Sequence, residues 1–300
     1  MMNRIISALI RRYQWYIRDV IARRPFQNLK ILDSFESIQY IVDHQCSISR
    51  YGDGELSFFW GVKEGYQDVD ERLVKELMHV LQSTDAPNHI VGIPYYLKNV
   101  DGTVKMTRTF WGDFVCKFGK RLRPYLDNER TYIDTQISRF YIEYHDRERS
   151  TRQLHLLKKI WEGRDVVIVE GTQSRTGVGN DLYDNAKSLQ RILGYSKNAF
   201  SHYDEMLRAI TLHVKPEEKK IILLSYGPTA TILSYDLAKL GYQAVDLGHL
   251  DIEYEWYRKG DMSGGVVEGK YTNEAKGGDA VIECDDELYH KQIICDITKK

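Results

Sequence analysis

Residues 165–169 read Asp-Val-Val-Ile-Val, so four β-branched side chains follow one another with no polar residue between them. A strand with one face in water alternates polar and apolar residues, whereas a strand buried on both faces of a parallel sheet is apolar throughout. This stretch therefore predicts a central strand of a parallel sheet that helices cover on both sides.

Predicted helices and strands alternate on both sides of this run. Strand–helix–strand units of these lengths predict an α/β fold with a Rossmann-like, mostly parallel sheet flanked by helices, in which ligands bind at the carboxyl ends of the strands. The predicted helices cover residues 34–44, 71–81, 107–122, 152–161, 182–193 and a segment that follows 229 and ends at 240, and the predicted strands cover 47–50, 89–93, 131–133, 165–169, 220–225 and 243–247.

The composition of the 300 residues, 42% hydrophobic and 28% charged, is ordinary for a globular enzyme. A net charge of -1 gives no electrostatic argument for nucleic-acid binding, and the four cysteines contain no C-x-x-C pair. Widely spaced, reduced thiols predict a cytoplasmic protein. We expect one domain over residues 31–300, preceded by a helical extension at 1–30.

Residues 1–24 combine apolar side chains at helical spacing with six arginines and a single acid, Asp19. A basic amphipathic helix of this kind can lie peripherally on the inner face of an anionic membrane. The same pattern suits a helix that packs on its own domain or on a second subunit of a homo-oligomer. The sequence leaves these alternatives open.

Asp53 and Glu55 are separated by one glycine and follow the short predicted strand 47–50. Two carboxylates in such a loop can point at one hard cation, and Mg²⁺ or Mn²⁺ usually also holds substrate phosphates. Arg50 can pair with Glu55 or bind a phosphate beside the ion. A Gly-Asp-Gly turn with solvated acids is the alternative interpretation.

A glycine-rich loop that contains Arg175, Gly177, Gly179 and Asn180 follows the buried strand and precedes a predicted helix. Glycines let the backbone approach a diphosphate, the arginine adds charge, and Asn180 or Asp181 would cap the helix. The pattern is neither a P-loop nor G-x-G-x-x-G. It predicts a phosphate-binding loop, and a loop that only turns the chain is the alternative.

Gly227, Pro228 and Thr229 form another turn from a strand to a helix. Thr229 can donate to a phosphate or a ribose, and Gly227 allows a close approach. A simple helix start with proline in its first turn explains the same residues.

His249, Asp251 and Glu253 alternate after the last predicted strand, so an extended segment would place them on one face. In that arrangement His249 completes the metal shell, and Asp251 or Glu253 acts as a general base on an acceptor hydroxyl. A structural role for the histidine is the alternative.

Three ordered segments together resemble the bacterial GT-D glycosyltransferases, a group once called a domain of unknown function, which builds glycans on serine-rich adhesins and other surface polymers. The segments are Arg-Tyr-Gly-Asp-Gly-Glu at 50–55, Ser-Arg-Thr-Gly-Val-Gly-Asn-Asp-Leu at 174–182 and Asp-Leu-Gly-His-Leu-Asp-Ile-Glu-Tyr-Glu-Trp at 246–256. The resemblance extends over most of the chain, from residue 34 to residue 274.

The resemblance implies a Rossmann-like GT-D fold, a UDP-sugar donor (UDP-glucose in the best-known members) and a divalent ion, usually Mn²⁺. Asp53 and Glu55 would hold the ion and the diphosphate, with His249 beside them. A glycan or glycoprotein would be the acceptor, and the arginine-rich extension, which departs from the family pattern, leaves a lipid-linked acceptor open. A metal-dependent nucleotide-sugar phosphohydrolase and a non-catalytic nucleotide-sugar-binding scaffold are the rival functions.

Overall fold

A computed structural model describes residues 15–299. Within that range nine strands form one sheet in the order β1-β4-β3-β2-β8-β7-β5-β6-β9, and all neighbouring strands are parallel. The strands are β1 (Lys30–Ile31), β2 (Ser47–Arg50), β3 (His89–Ile93), β4 (Thr131–Asp134), β5 (Asp165–Gly171), β6 (Ser188–Gly194), β7 (Ile221–Ser225), β8 (Gln243–Asp246) and β9 (Ile293–Asp296).

Helices cover both faces of this sheet. The first, α1, comprises residues 15–23 of the described range. The others are α2 (Ser34–His44), α3 (Asp53–Phe58), α4 (Glu71–Gln82), α5 (Lys105–Leu122), α6 (Arg147–Lys158), α7 (Tyr203–His213), α8 (Pro228–Lys239), α9 (Leu250–Lys259) and α10 (Glu287–Gln292).

The central strand β5 divides its side chains between two hydrophobic cores. Val167 and Val169 pack into the core that contains residues of α4, α5, α7 and α8, whereas Val166 and Ile168 pack into the core that contains residues of α2, α6 and α9. Because successive side chains of a strand point to opposite faces, β5 is buried on both sides. The predicted Rossmann-like α/β fold is confirmed.

The order of the strands fixes where a ligand can bind. The chain moves outward from β2 through β3 to β4, and β8 lies on the other side of β2. Connections therefore leave these two neighbours in opposite directions, which opens a crevice at their carboxyl ends.

One predicted helix is wrong. Residues 188–193 of the predicted helix 182–193 belong instead to strand β6, which lies between β5 and β9. The strand is difficult to recognise in the sequence, because Arg191 is a charged residue and buried strands are usually apolar. Its guanidinium is buried and forms an ion pair with the buried Glu170 of β5.

Part of the N-terminal extension packs on its own domain, as one of the alternatives states. The indole of Trp15 donates to Asp113 of α5 at 3.2 Å, and Asp19 forms a buried ion pair with Arg23 at 2.9 Å. Residues 1–14 of the predicted helix lie outside the described range. Among residues 15–299, no helix has both the length and the apolarity that crossing a bilayer would require.

Candidate functional site

A cavity of about 570 Å³ lies at the carboxyl ends of β2, β5, β7 and β8. This volume is within the range of small-molecule sites, and the position is the crevice that the strand order predicts. Of the residues singled out in the sequence, the cavity is lined by Arg50, Asp53, Glu55, Gly227, Pro228, His249 and Asp251.

Arg50 is fixed at the end of β2 by contacts with the neighbouring strand β8 and with the short helical turn that follows β4. Its Nη2 lies 3.3 Å from Oδ1 of Asp246 at the end of β8, and its Nη1 donates to the carbonyl of Thr135 at 2.9 Å and to Oγ of Ser138 at 2.7 Å. Within residues 15–299, the buried Nε of Arg50 has no partner. The side chain is thus held in place with one donor unsatisfied.

Gly248 makes this position of Arg50 possible. A β-carbon at 248 would lie 2.1 Å from Nη2 of Arg50, and the φ of +54° is one that other residues rarely adopt. Burial raises the pKa of the Asp246 carboxyl, and the positive charge of Arg50 opposes that shift.

Asp53 and Glu55 lie in the first turn of helix α3, not in the loop that the sequence predicts. Residues i and i+2 of a helix do not face each other, so the two carboxylates diverge. Glu55 turns back and accepts a hydrogen bond from the backbone N–H of Gly52 at 2.8 Å. Asp53 instead remains exposed to solvent in the cavity.

The two acids also have different electrostatic neighbours. Burial raises the pKa of Glu55 to about 7, and the negative charge of Asp246 adds to this shift. Burial among protein groups also raises the pKa of Asp53, which experiences the charges of Arg139, Glu274 and His249. Glu55 closes the start of α3, and the cation that Asp53 and Glu55 are expected to share stays a prediction.

Glu64 is a further carboxylate near Asp53. Its Cγ and Cδ lie 3.7 and 3.8 Å from the position of a β-carbon at Gly54, and it lines the same cavity. Partial burial and the charge of Asp53 raise the pKa of Glu64. The sequence analysis did not identify this residue, because it lies outside every motif.

Arg139 contacts several ionisable groups at the same cavity. Its Nη1 donates to Oε1 of Glu274 at 2.6 Å and contacts Nε2 of His249, and its Nε lies 3.4 Å from Glu253 and 3.7 Å from Glu143. These carboxylates raise the pKa of Arg139 although burial works against them. Arg139 was also missed in the sequence, where 135 residues separate it from Glu274.

His249 is occupied by this cluster. Its Nε2 contacts both Arg139 and Oε1 of Glu274, the latter at 3.0 Å. Burial would raise the pKa of Glu274, but the charges of His249 and Arg139 hold it well below its ordinary value. Among residues 15–299, no three His, Cys, Asp or Glu side chains are arranged to hold one metal ion. The metal shell of Asp53, Glu55 and His249 therefore stays a prediction.

Asp251 lies in helix α9, so the predicted extended segment at 249–253 is wrong. Its buried carboxylate accepts from Nζ of Lys270 at 2.6 Å, the N–H of Gly177 at 2.9 Å and Nδ2 of Asn180 at 2.7 Å. These three contacts occupy the carboxylate and hold it in place. The general-base role predicted for Asp251 stays a prediction.

The loop at 171–181 does not open a helix, so no helix N-terminus supplies donors there. Arg175 points away from the cavity and donates to the carbonyls of Gly269 and Ile282. Gly177, Gly179 and Asn180 also lie outside the cavity lining, which this loop reaches through Ser174 and Thr176. Asp251 anchors this loop, and the phosphate-binding role predicted for it stays a prediction.

Gly227 and Pro228 line the cavity at the start of α8. Gly227 has a φ of +55° and no side chain that could cap the helix, and Pro228 occupies its first turn. Thr229 is fully buried and does not line the cavity, and its Oγ1 has no partner in the described range. The uncapped N-terminus of α8 therefore faces the cavity beside Arg50.

The sequence matches the family described as the glycosyltransferase GT-D fold over residues 48–275. It is 35% identical over 274 residues to glycosyltransferase GlyD of Streptococcus pneumoniae serotype 4, with 91% of this chain and 33% of that protein covered. It is 32% identical over 282 residues to the "probable glycosyl transferase Gly" of Streptococcus gordonii, with 93% and 40% covered. The chain thus spans well under half the length of these two relatives.

Solved structures agree with the sequence comparison. The conserved domain of unknown function 1792, described as having a distinct glycosyltransferase fold, is similar with a TM-score of 0.86 and 36% identity, covering 93% of this chain and 99% of that one. A glycosyltransferase of the same kind from Streptococcus sanguinis gives a TM-score of 0.82 and 32% identity, covering 89% and 99%. The family match covers most of the chain, and this protein belongs to the glycosyltransferase GT-D fold family.

Proposed function

We propose that this protein transfers a sugar, in the first instance glucose, from a UDP-sugar to a glycan, a glycoprotein or a lipid-linked acceptor in bacterial surface glycosylation. The observation that carries the proposal is the content of one cavity in a member of a glycosyltransferase family. There the exposed carboxylate of Asp53, the guanidinium of Arg50 and the uncapped start of α8 lie together.

The donor diphosphate is assigned to the wall formed by Arg50 and Gly227. Free N–H groups at the start of a helix and the helix dipole favour an anion, and the guanidinium of Arg50 adds positive charge to the same wall. Arg175 is left out of this assignment, because it does not line the cavity.

A divalent ion, Mn²⁺ or Mg²⁺, fits beside Asp53. Such ions are commonly bound by one or two carboxylates together with substrate phosphates, and Asp53 and Glu64 supply two carboxylates on one side of the cavity. When bound, the ion would neutralise negative charge on the departing diphosphate. Glu55 and His249 are left out of this proposed ion site because Gly52 and Arg139 already contact them, and the metal-binding role predicted for them stays a prediction.

The residues of the chain support the same step. Negative charge grows on the diphosphate as the bond to the anomeric carbon breaks, and Arg50 and the α8 N-terminus are fixed donors aimed at that charge. Asp246, Thr135 and Ser138 hold Arg50 in place, so little reorganisation is needed during the reaction. Arg139 and the side chains around it line the same cavity, and we assign to them the side from which an acceptor hydroxyl would approach.

The cytoplasm is the proposed compartment, because nothing links the four cysteines to one another. All four are free thiols, and burial raises the pKa of Cys46 to about 12, which keeps it protonated and unreactive.

A donor screen tests the proposal. UDP release is measured for a panel of UDP-sugars with Mn²⁺, with and without an acceptor extract, and after addition of a chelator. We expect acceptor-dependent release that the chelator abolishes. Fast release that ignores the acceptor would favour the phosphohydrolase, and nucleotide binding without any turnover would favour the non-catalytic scaffold.

A further inference from the structure

Helix α1 directs its aliphatic side chains away from its own domain. Tyr16, Ile17, Val20 and Ile21 are 61%, 38%, 40% and 53% exposed, whereas the ion pair of Asp19 and Arg23 is buried against the domain. At about 100° per residue, the four exposed apolar residues form one stripe opposite the packed face. The amphipathicity is thus inverted relative to a helix that only covers its own core.

Helix α5 extends this surface. Trp15 of α1 bonds to Asp113 of α5, and Phe110 lies one turn before Asp113 on the same side of α5. Phe110 and Met106 are 47% and 68% exposed. The outer surfaces of α1 and α5, with these six exposed apolar side chains, are called the basic apolar face below.

The charges on this face have one dominant sign. Exposed cations surround the apolar side chains, and the two acids within these helices, Asp19 and Asp113, are held by Arg23 and Trp15. Residues 1–14 add three arginines and no acid to the sequence, although the chain as a whole has a net charge of -1. The exposed cations are Arg18, Arg24, Lys105, Arg108, Lys117, Lys120 and Arg121.

The basic apolar face borders the mouth of the catalytic cavity. Met106 and Phe110 are exposed on α5 and also line the cavity. The buried Thr107 and Trp111 of the same helix line the cavity as well. Whatever covers this face therefore lies next to the opening through which an acceptor would enter.

We propose that the basic apolar face docks on an anionic lipid bilayer, with α1 lying in the membrane interface and the cavity mouth beside it. Apolar side chains that enter the interface and cations that meet anionic headgroups are the two contributions such binding requires. A second copy of the chain fits less well, because a twofold interface would pair this face with itself and place cations against cations.

Vesicle flotation with the full chain tests the proposal. The wild type is compared with Ile17→Asp/Ile21→Asp, using vesicles of phosphatidylcholine alone and vesicles that also contain phosphatidylglycerol, at low and high salt. Leu212→Asp is the matched control, because Leu212 is 67% exposed on α7, which packs near β6 and β9 at the far edge of the sheet. Circular dichroism confirms that the variants fold.

We expect the wild type and Leu212→Asp to float with the anionic vesicles only, and less at high salt. The double variant should bind more than about tenfold more weakly, because two aliphatic side chains that would enter the bilayer are replaced by charged ones. Equal flotation of all three proteins would overturn the proposal. The proposal would also be overturned if the wild type did not bind vesicles and light scattering showed a dimer that the double variant does not form. A wild type that floats with anionic vesicles but does not turn over UDP-sugars would contradict the proposed function and still support the docking proposal.

Discussion

Glu55 accepts a hydrogen bond from the backbone N–H of Gly52 at 2.8 Å, so its carboxylate closes the first turn of α3. This contact separates the two acids of the Asp-x-Glu motif into different roles. Both acids line the cavity, and Asp53 is the more exposed of the two.

Glu55→Gln should retain transfer activity, because the amide oxygen of glutamine can accept the same hydrogen bond from Gly52. Glu55→Ala should lower the free energy of unfolding by about 1 kcal/mol, as expected when a helix start loses its cap. Denaturant unfolding and UDP release from both variants check this pair. Inactivity of a well-folded Glu55→Gln protein would instead assign the carboxylate to the ligand.

The stability of the wild type should fall as the pH rises towards neutrality. The pKa of Glu55 is about 7 in the fold against an ordinary 4.5, so between these values the folded state keeps a proton that the unfolded state has lost. The folded state then binds more protons, and the free energy of unfolding decreases with pH. The contribution is present below the ordinary pKa and is lost as the pH passes through 7.

Urea unfolding of the wild type and Glu55→Gln between about pH 5 and pH 8 measures this effect. The wild type should lose up to about 3 kcal/mol relative to the variant, in which residue 55 does not titrate. Parallel pH profiles for the two proteins would show that Glu55 is not the titrating group.

Arg139→Met should destabilise the protein by about 3–5 kcal/mol, because it leaves buried carboxylates without their cation. The buried groups affected are Glu143 and Glu253, and the more exposed Glu274 loses the same partner. Arg139→Lys serves as the control that keeps the charge but loses the planar fork, so its loss should be smaller. Thermal unfolding distinguishes the variants, and equal stability of Arg139→Met and the wild type would show that Arg139 does not stabilise these carboxylates.

Asp251→Asn should leave the shape of the pH–rate profile unchanged. Asp251 is occupied by Lys270, Gly177 and Asn180, so we expect a loss of stability and not the removal of a proton acceptor. The profile of UDP release against pH is compared with that of the wild type. Disappearance of one limb of the profile in a folded variant would restore Asp251 as the general base.

The fold could be predicted from the sequence wherever apolar patterning had no competitor. Helix 34–44 and strands 47–50 and 89–93 have the predicted bounds. Strand β6 was missed because Arg191 looks like a solvent-facing residue unless its partner Glu170, on the neighbouring strand, is known. A buried ion pair between strands leaves no local signal in the sequence.

The site was predicted in part for a similar reason. Arg50, Asp53 and Gly227 follow strands and reach the cavity, because parallel strands bring their carboxyl ends to one edge. Glu55 lies in helix α3, where the sequence predicts a loop, and Asp251 lies in helix α9, where it predicts an extended segment. The directions of both side chains therefore differ from the prediction. Arg139 and Glu64 belong to no motif, and only the tertiary fold brings them to the cavity.

Binding of UDP to the wild type and to Asp53→Asn, measured by titration calorimetry with Mn²⁺ and again with a chelator, tests the central claim most directly. We expect tight binding only for the wild type with Mn²⁺, because Asp53 would hold the ion that bridges to the diphosphate. Equal, chelator-resistant binding of UDP by the wild type and Asp53→Asn would contradict the account.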